Sequence, residues 1–296
     1  MLYWTVKMIG WLVCLLPSSW ALRIGYGLGT LCWPFVPRRR KQMAEDNIMR
    51  SLEVDRPTAQ RIARRSGVRF GPLFMEVLRL PLLNRENIRR FVRFEGEQHL
   101  WEALQHGRGV VLATAHSGNW EMLGAALAMY DFPIIGIAQR QTNRDMNRLI
   151  NEYRTGTGMP IVYKQGVRDM VKLLGEGKIV GLLMDQDNLG DGVFVEFFGR
   201  LASTPQGAAA LARLKGSPIV PVFISSQGDG THLATAHPAV WLEKTPDRER
   251  DIFVTTQQLT RIVEQHIRDH PAEWFWLHNR WKTPPPESVG VKTDES

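Results

Sequence analysis

The stretch Gly109–Tyr130, GVVLATAHSGNWEMLGAALAMY, decides the fold. An apolar, β-branched run from Val110 to Ala115 stops at His116. Ser117, Gly118 and Asn119 then supply turn and N-cap chemistry, and Trp120 with Glu121 opens a second apolar segment. A short continuous apolar run bounded by turn signals suits a strand buried on both faces, and the capped segment behind it suits a helix. That order is the start of a βαβ unit. His116 is then expected just past the C-terminal end of a strand, where parallel sheets gather their ligands.

The same texture repeats outward along the chain. Candidate strands at Phe91–Gly96, Gly109–Ala115, Pro133–Ala138, Ile179–Asp185 and Ser217–Ile224 alternate with candidate helices around Glu97–Gln105, Trp120–Ala128, Asn143–Gly156, Val167–Gly175 and Thr204–Lys215. Apolar strands interleaved with helices of about ten residues predict an α/β fold, with a largely parallel central sheet flanked by helices. Residues 42–90 read as a helical lead-in, because Thr58–Leu80 spaces its apolar positions at three and four while Arg and Glu fill the other face. The α/β core is expected over 91–284. The Pro-led polar stretch 285–296 reads as a disordered tail.

A chain of 296 residues with 44% hydrophobic content and 10 Trp supports a real core. Its 37 Lys and Arg against 30 Asp and Glu leave a net charge of +7 and a pI near 9.6, which favours an anionic partner. The distribution says which kind. Residues 1–41 carry Lys7, Arg23, Arg38, Arg39, Arg40 and Lys41, no acidic side chain, and mostly apolar residues otherwise. Two uncharged stretches, Met8–Leu22 and Ile24–Pro37, each fall short of the roughly 20 residues that a straight membrane-crossing helix needs. A retained anchor over 1–41, tilted, re-entrant or interfacial, is therefore expected, with the cluster Pro37–Lys41 on the cytoplasmic side against anionic headgroups. Only Lys7 precedes the apolar core and no small-x-small site follows it, which argues against a cleaved signal peptide. The two cysteines, Cys14 and Cys32, both lie in this segment and offer neither a disulfide framework nor a CxxC pair.

On one continuous helix, His116 and Glu121 would stand about 140° apart around the axis. Across a loop-to-helix corner the carboxylate could fold back on the imidazole, fix its tautomer and make the other ring nitrogen a better base. No protein nucleophile accompanies the pair. Ser117 does not lie in a G-x-S-x-G elbow, and His-x4-Glu matches no zinc spacing, so the expected nucleophile is a substrate hydroxyl and no metal is expected. Asp185, Gln186 and Asp187 end another apolar strand and should open onto the same sheet edge as His116, with Asp185 orienting a basic group or a loop. Val193–Arg200 fits a buried strand by its alternation, and Ser203-Thr204-Pro205 reads as an N-cap and helix start. Trp274, Trp276, His278, Arg280 and Lys282 interleave aromatic and basic residues, but no nucleic-acid motif accompanies them and no nucleic-acid partner is expected.

AHSGNWE at Ala115–Glu121 resembles the His-x4-Asp/Glu signature of the glycerolipid and lipid A acyltransferases. Further blocks narrow the resemblance to the late acyltransferases of lipid A biosynthesis and their lysophospholipid acyltransferase-like relatives. These are Gly96–Glu121, AQRQTN at Ala138–Asn143, Gly181–Phe223 and PAEWFWLHNRWKTPP at Pro271–Pro285. The resemblance implies a glycerolipid acyltransferase-like fold, with His116 as general base and Glu121 as its orienting carboxylate. It implies substrate contacts from Asn119, Arg140, Asn143, Asp185, Gln186, Gly199 and Arg200, with Arg140 on the acceptor phosphate or the developing oxyanion. It implies no cofactor: the acyl thioester, on acyl carrier protein or coenzyme A, is a co-substrate. The acceptor is expected to be an anionic lipid, a lipid A precursor first and another lysophospholipid or glycolipid as the alternative, since the form HSGNWE fits the broader relatives equally well. The resemblance implies action at the cytoplasmic face of a bacterial inner membrane. A thioester hydrolase and a non-catalytic membrane-binding module are the competing readings from other classes.

Overall fold

In the computed structural model, which describes residues 2–138, 142–163, 167–190 and 192–286, the chain alternates strands and helices after a helical lead-in. The lead-in comprises α1 (Leu2–Leu15), α2 (Ser18–Cys32), α3 (Arg38–Leu52), α4 (Arg56–Val68) and α5 (Phe70–Leu78). There follow β1 (Val92–Glu95), α6 (Glu97–Gln105), β2 (Val110–Thr114), α7 (Trp120–Met129), β3 (Ile134–Ala138), α8 (Arg144–Gly156), β4 (Ile161–Tyr163), α9 (Val167–Gly175) and β5 (Ile179–Leu183). The chain then runs through β6 (Val193–Phe197), β7 (Arg200–Thr204), α10 (Gly207–Lys215), β8 (Ile219–Ser226), β9 (His232–Ala236) and α11 (Arg248–Asp269).

Seven strands form one sheet in the order β1-β9-β8-β2-β5-β3-β4, every pair parallel except β8 with β9. β2 lies at its centre and is buried along its whole length. Period-two alternation divides its side chains between two cores. Val110 and Leu112 face Leu123, Leu127 and Ile134, while Val111 and Ala113 face Val180, Leu211, Phe223 and Val263. β6 and β7 form a separate antiparallel hairpin whose turn residues, Phe198 and Gly199, have φ of 53° and 68°. Positive φ at both positions matches the right-handed twist of a tight hairpin.

This hairpin is one of several departures from the sequence reading. Ser203 and Thr204 end β7 and α10 starts later, because Thr204 pairs with Val193 across the hairpin instead of capping a helix. β4, β7, β9 and the 22-residue α11 had no counterpart in the expected elements. In the lead-in the chain breaks at Leu16–Pro17, where proline cannot continue a helix, and Arg23 stands inside α2. α2 packs against α5 and the end of α4 through glycines: a Cβ on Gly71 would lie 1.9 Å from the Gly25 carbonyl oxygen, and one on Gly29 would lie 2.1 Å from that of Val68. Small residues at this spacing bring the two backbones into contact. The outer faces of α1 and α2 remain apolar, exposing Trp4, Met8, Trp11, Leu15, Trp20, Ile24, Leu28 and Leu31. Among the described residues no helix is long and apolar enough to cross a membrane.

Candidate active site

β2 and β5 are neighbours in register, Thr114 opposite Leu183, and each is followed two residues later by an ionisable side chain. Those residues are His116 and Asp185. His116 Nδ1 and Asp185 Oδ1 lie 2.8 Å apart, and the His116 backbone N–H donates to Asp185 Oδ2 at 2.9 Å. Trp274 Nε1 donates to the same Oδ2 at 2.7 Å. The Asp185 carboxylate is therefore an acceptor for three donors in a buried setting, which favours its charged form.

The electrostatics follow from that geometry. Burial opposes the charged form of His116, yet the neighbouring Asp185 charge and its hydrogen bond outweigh burial, with a smaller push from Glu121, and the His116 pKa is raised above the ordinary imidazole value. Burial likewise pushes the Asp185 carboxyl up, but His116 and the donors around it more than compensate and leave it below the usual carboxylate range. With Nδ1 committed to Asp185, Nε2 is the ring nitrogen left free to exchange a proton. The His116 side chain keeps 20% of its surface exposed against 1% for Asp185, so the imidazole is reachable and the carboxylate beside it is not.

The turn that carries His116 is clamped from the C-terminal side. Ser117 bridges to Trp274, the Phe275 N–H donates to the His116 carbonyl at 3.2 Å, and the Gly118 N–H donates to the Glu273 carbonyl at 3.1 Å. Gly118 has φ +58°, and a Cβ there would lie 1.9 Å from the Ile224 carbonyl oxygen, so only glycine fits. Ser117 Oγ sits 2.9 Å from His266 Nε2, inside the core. Burial, reinforced by His270, pushes the His266 pKa down to about 3, so this second imidazole is neutral and serves packing against Phe223.

Glu121 takes a different partner from the one expected. Arg154 on α8 donates to it through Nε at 2.7 Å and through Nη2, a bidentate pair. Since Glu121 is on the first turn of α7, its carboxylate is turned toward α8 and the carboxylate on His116 Nδ1 is that of Asp185. Glu121, Arg154 and Trp120 line an apolar groove of about 90 Å³ between α7 and the sheet, whose walls include Leu112, Leu123, Leu127, Ile134, Met159 and Leu182. The Trp120 ring also packs edge-on against His116, with centroids 5.2 Å apart, so one lining residue of the groove touches the imidazole.

The chain matches the model of the bacterial lipid A biosynthesis acyltransferases over residues 1–283. It belongs to that family. The acyltransferase is 30% identical over 225 residues to a phosphatidylinositol mannoside acyltransferase of Mycolicibacterium smegmatis, covering 74% of this chain and 72% of that protein. It is 28% identical over 285 residues to the lipid A biosynthesis lauroyltransferase of Escherichia coli, covering 93% and 89%. A solved structure, the 1-acyl-sn-glycerophosphate acyltransferase of Thermotoga maritima, aligns with a TM-score of 0.41 at 13% identity, over 85% of this chain and 98% of that one.

The other sequence-predicted residues of this acyltransferase are spread around the fold. Asn119 caps α7 through the Met122 N–H at 3.0 Å and donates through Nδ2 to Glu76 at 2.8 Å. Asn143 caps α8 through the Met146 N–H at 3.1 Å. Arg140 lies outside the described residues. Gln186 is half-buried next to Asp185, and Gly199 is exposed in the β6–β7 turn. Arg200 docks on the lead-in: it donates to Asn47 and Ser51 of α3 and stacks on Trp281 at 3.4 Å. Asn143, Gly199 and Arg200 thus make no contact with the His116–Asp185 pair. Among the described residues no group of three His, Cys, Asp or Glu side chains converges to hold a metal. Trp274 and Arg154, which hold the two key carboxylates, were not singled out for those roles, since nothing local in the sequence links them to residues 89 and 33 positions away.

Proposed function

We propose that this acyltransferase moves a fatty acyl chain from a thioester, with acyl carrier protein as donor, to a hydroxyl of a phosphorylated lipid, with a lipid A precursor as the leading acceptor. The observation that carries the reading is the His116–Asp185 pair at the C-terminal edge of a parallel sheet, beside an apolar groove, in a chain of this family. In the proposed step, His116 Nε2 takes the proton of the acceptor hydroxyl while that oxygen attacks the thioester carbonyl. The C–S bond breaks, and the proton returns from His116 to the departing thiolate. The oxygen nucleophile belongs to the substrate, so no acyl-enzyme forms. Asp185 orients the ring and stabilises the imidazolium that develops. The groove behind Trp120 suits the acyl tail, since most of its lining side chains are apolar, with the Glu121–Arg154 ion pair among the rest.

A second acceptor class, a mannosylated phosphatidylinositol, is favoured by the 30% identity over 74% of the chain to an enzyme named for that lipid. Either acceptor lies in a membrane. The exposed apolar stripe of α1 and α2, with Phe35 86% exposed and Arg38 and Arg39 exposed behind it, suits an interfacial seat on an anionic bilayer, on the cytoplasmic face of the inner membrane. The test is acyl transfer by the purified protein in detergent, from acyl carrier protein and coenzyme A thioesters to a panel of lipid A precursor, lysophospholipid and mannosylated phosphatidylinositol. Transfer to the lipid A precursor, lost by at least about 10²-fold in His116→Ala, is the expected result. Release of free fatty acid with every acceptor would overturn it.

A further inference from the structure

A cavity of about 320 Å³ lies against the His116 turn at Gly118 and Asn119, between α2, the α4–α5 pair and the β8–β9 turn. Arg64, Arg65, Arg69 and His232 line it, together with the carboxylates of Glu76 and Glu273. Two of the basic groups are under-satisfied. Arg69 donates through Nη1 to the Gly118 carbonyl at 2.8 Å, and its buried Nε and Nη2 have no partner among the described residues. His232, only 2% exposed, bonds through Nε2 to Glu76 Oε1 at 2.9 Å, and its buried Nδ1 has none. The carboxylates do not supply the missing acceptors. Glu76 is engaged by His232 and Asn119, and Glu273 accepts the Ser226 N–H at 3.0 Å.

Buried nitrogen donors in folded proteins are almost always paired, so the two unpaired guanidinium nitrogens of Arg69, a residue that lines the cavity together with Arg64 and Arg65, call for an acceptor-rich ligand. Guanidinium groups in a fork geometry select phosphate or carboxylate oxygens. We propose that this cavity is a phosphoryl subsite, in which Arg65 and Arg69 bind the phosphate of the acceptor lipid's headgroup. This rests on the reading that the acceptor is a phosphorylated lipid. Glu76 and Glu273 on the same wall accept from headgroup hydroxyls, which suits a phosphorylated sugar or polyol better than a bare phosphate. The location supports a lipid source. Leu22 and Tyr26 of α2 form the outer wall, and the same helix exposes Trp20, Ile24 and Leu28, so the cavity adjoins the apolar face. Arg69 holds Gly118, two residues beyond His116, so a phosphate anchored there presents a neighbouring hydroxyl to the turn that carries the base.

The test is calorimetric titration of the full-length protein in detergent with dihexanoyl phosphatidate, using dihexanoylglycerol as the phosphate-free control. Wild type and His116→Ala are expected to bind the phosphatidate alike. Arg69→Gln and Arg65→Gln should each weaken it by about tenfold or more, as for the loss of a hydrogen bond from a charged group, and leave the control unchanged. Arg65 is exposed and holds no backbone group, so Arg65→Gln decides the matter if Arg69→Gln fails to fold. Equal binding of phosphatidate and dihexanoylglycerol, or unchanged affinity in folded Arg variants, overturns the subsite. Competition by inorganic phosphate, or by pantetheine 4′-phosphate, at the affinity of the phosphatidate assigns the cavity to a free anion or to the donor and overturns the headgroup assignment. These affinities are measured without any thioester. A wild-type protein that transfers no acyl group to lipids therefore fails the functional reading alone.

Discussion

The carboxylate on the imidazole of His116 is that of Asp185, at 2.8 Å, although Glu121 is 64 positions nearer in sequence. The reason is sheet register. β2 and β5 are paired neighbours whose ends, Thr114 and Leu183, lie side by side, so the residues two beyond each emerge together at the C-terminal edge. Glu121 has already entered α7, where Arg154 takes both of its oxygens.

A pH profile separates the two carboxylates. The proposed base must be neutral to accept a proton, so activity is expected to rise with pH through the His116 pKa, which the Asp185 charge and hydrogen bond raise above the ordinary imidazole value. In Asp185→Asn the burial penalty on the imidazolium stays while its compensating charge is gone. The acid limb of the profile should therefore move to lower pH, and the rate should fall by about 10² or more through loss of an oriented, more basic imidazole. An unshifted acid limb in folded Asp185→Asn would remove Asp185 from the mechanism.

Glu121→Gln is expected to move that limb far less and to act through structure. Removing the charge leaves a largely buried Arg154 without its bidentate partner, a loss of about 1–3 kcal/mol. Thermal unfolding of Glu121→Gln, Arg154→Gln and the double variant should give a coupling of that order, because both single changes break one interaction. Additive losses would show that the pair is not coupled.

The groove gives a prediction about chain length. A Cβ on Gly124 would lie 2.7 Å from Met159 Sδ, so the glycine and the methionine together fill one stretch of the wall. Met159→Ala should admit longer acyl chains, and Gly124→Leu should restrict the enzyme to shorter ones. Each methylene gained or lost should change relative kcat/KM by roughly 10-fold or more, the discrimination that about 1–3 kcal/mol allows. Competition between thioesters of graded length reads the shift directly. Identical length profiles in all three proteins would place the acyl tail elsewhere.

The sequence carried the sheet well where local signals are strong. Val110–Thr114 is apolar at every position because both faces are covered, and α6 and α9 match the expected Glu97–Gln105 and Val167–Gly175. It carried poorly whatever depends on pairing at long range. β9 is short and joins β8 antiparallel, and β7 is a strand only because the Phe198–Gly199 turn folds it onto β6. The site divides in the same way. His116 and Asp185 were each legible as strand-end residues, but their partnership needed the order β2-β5, and the Trp274 bond to Asp185 needed a C-terminal segment that returns to the sheet. Arg200 looked like a substrate contact from its block, yet its guanidinium is held by Asn47, Ser51 and Trp281, none of which is near it in sequence.

The apolar stripe on α1 and α2 yields the last prediction. These helices pack inward through residues such as Gly25 and Gly29 and outward present Trp11 and Trp20, at 63% and 59% exposure, the reverse of a helix that faces water. Burying one such side chain in a bilayer interface contributes about 1.5–3 kcal/mol, and the basic start of α3 adds an electrostatic part that salt screens. Trp11→Ala with Trp20→Ala should therefore cut binding to phosphatidylglycerol vesicles by about 10²-fold or more with the fold intact, because neither ring is part of the core. Replacing Arg38 and Arg39 by Gln should weaken binding at low salt and leave little difference at high salt. Sedimentation with vesicles, at two ionic strengths, distinguishes the two contributions. Wild-type binding by both sets of variants would mean that this face is covered by something other than lipid.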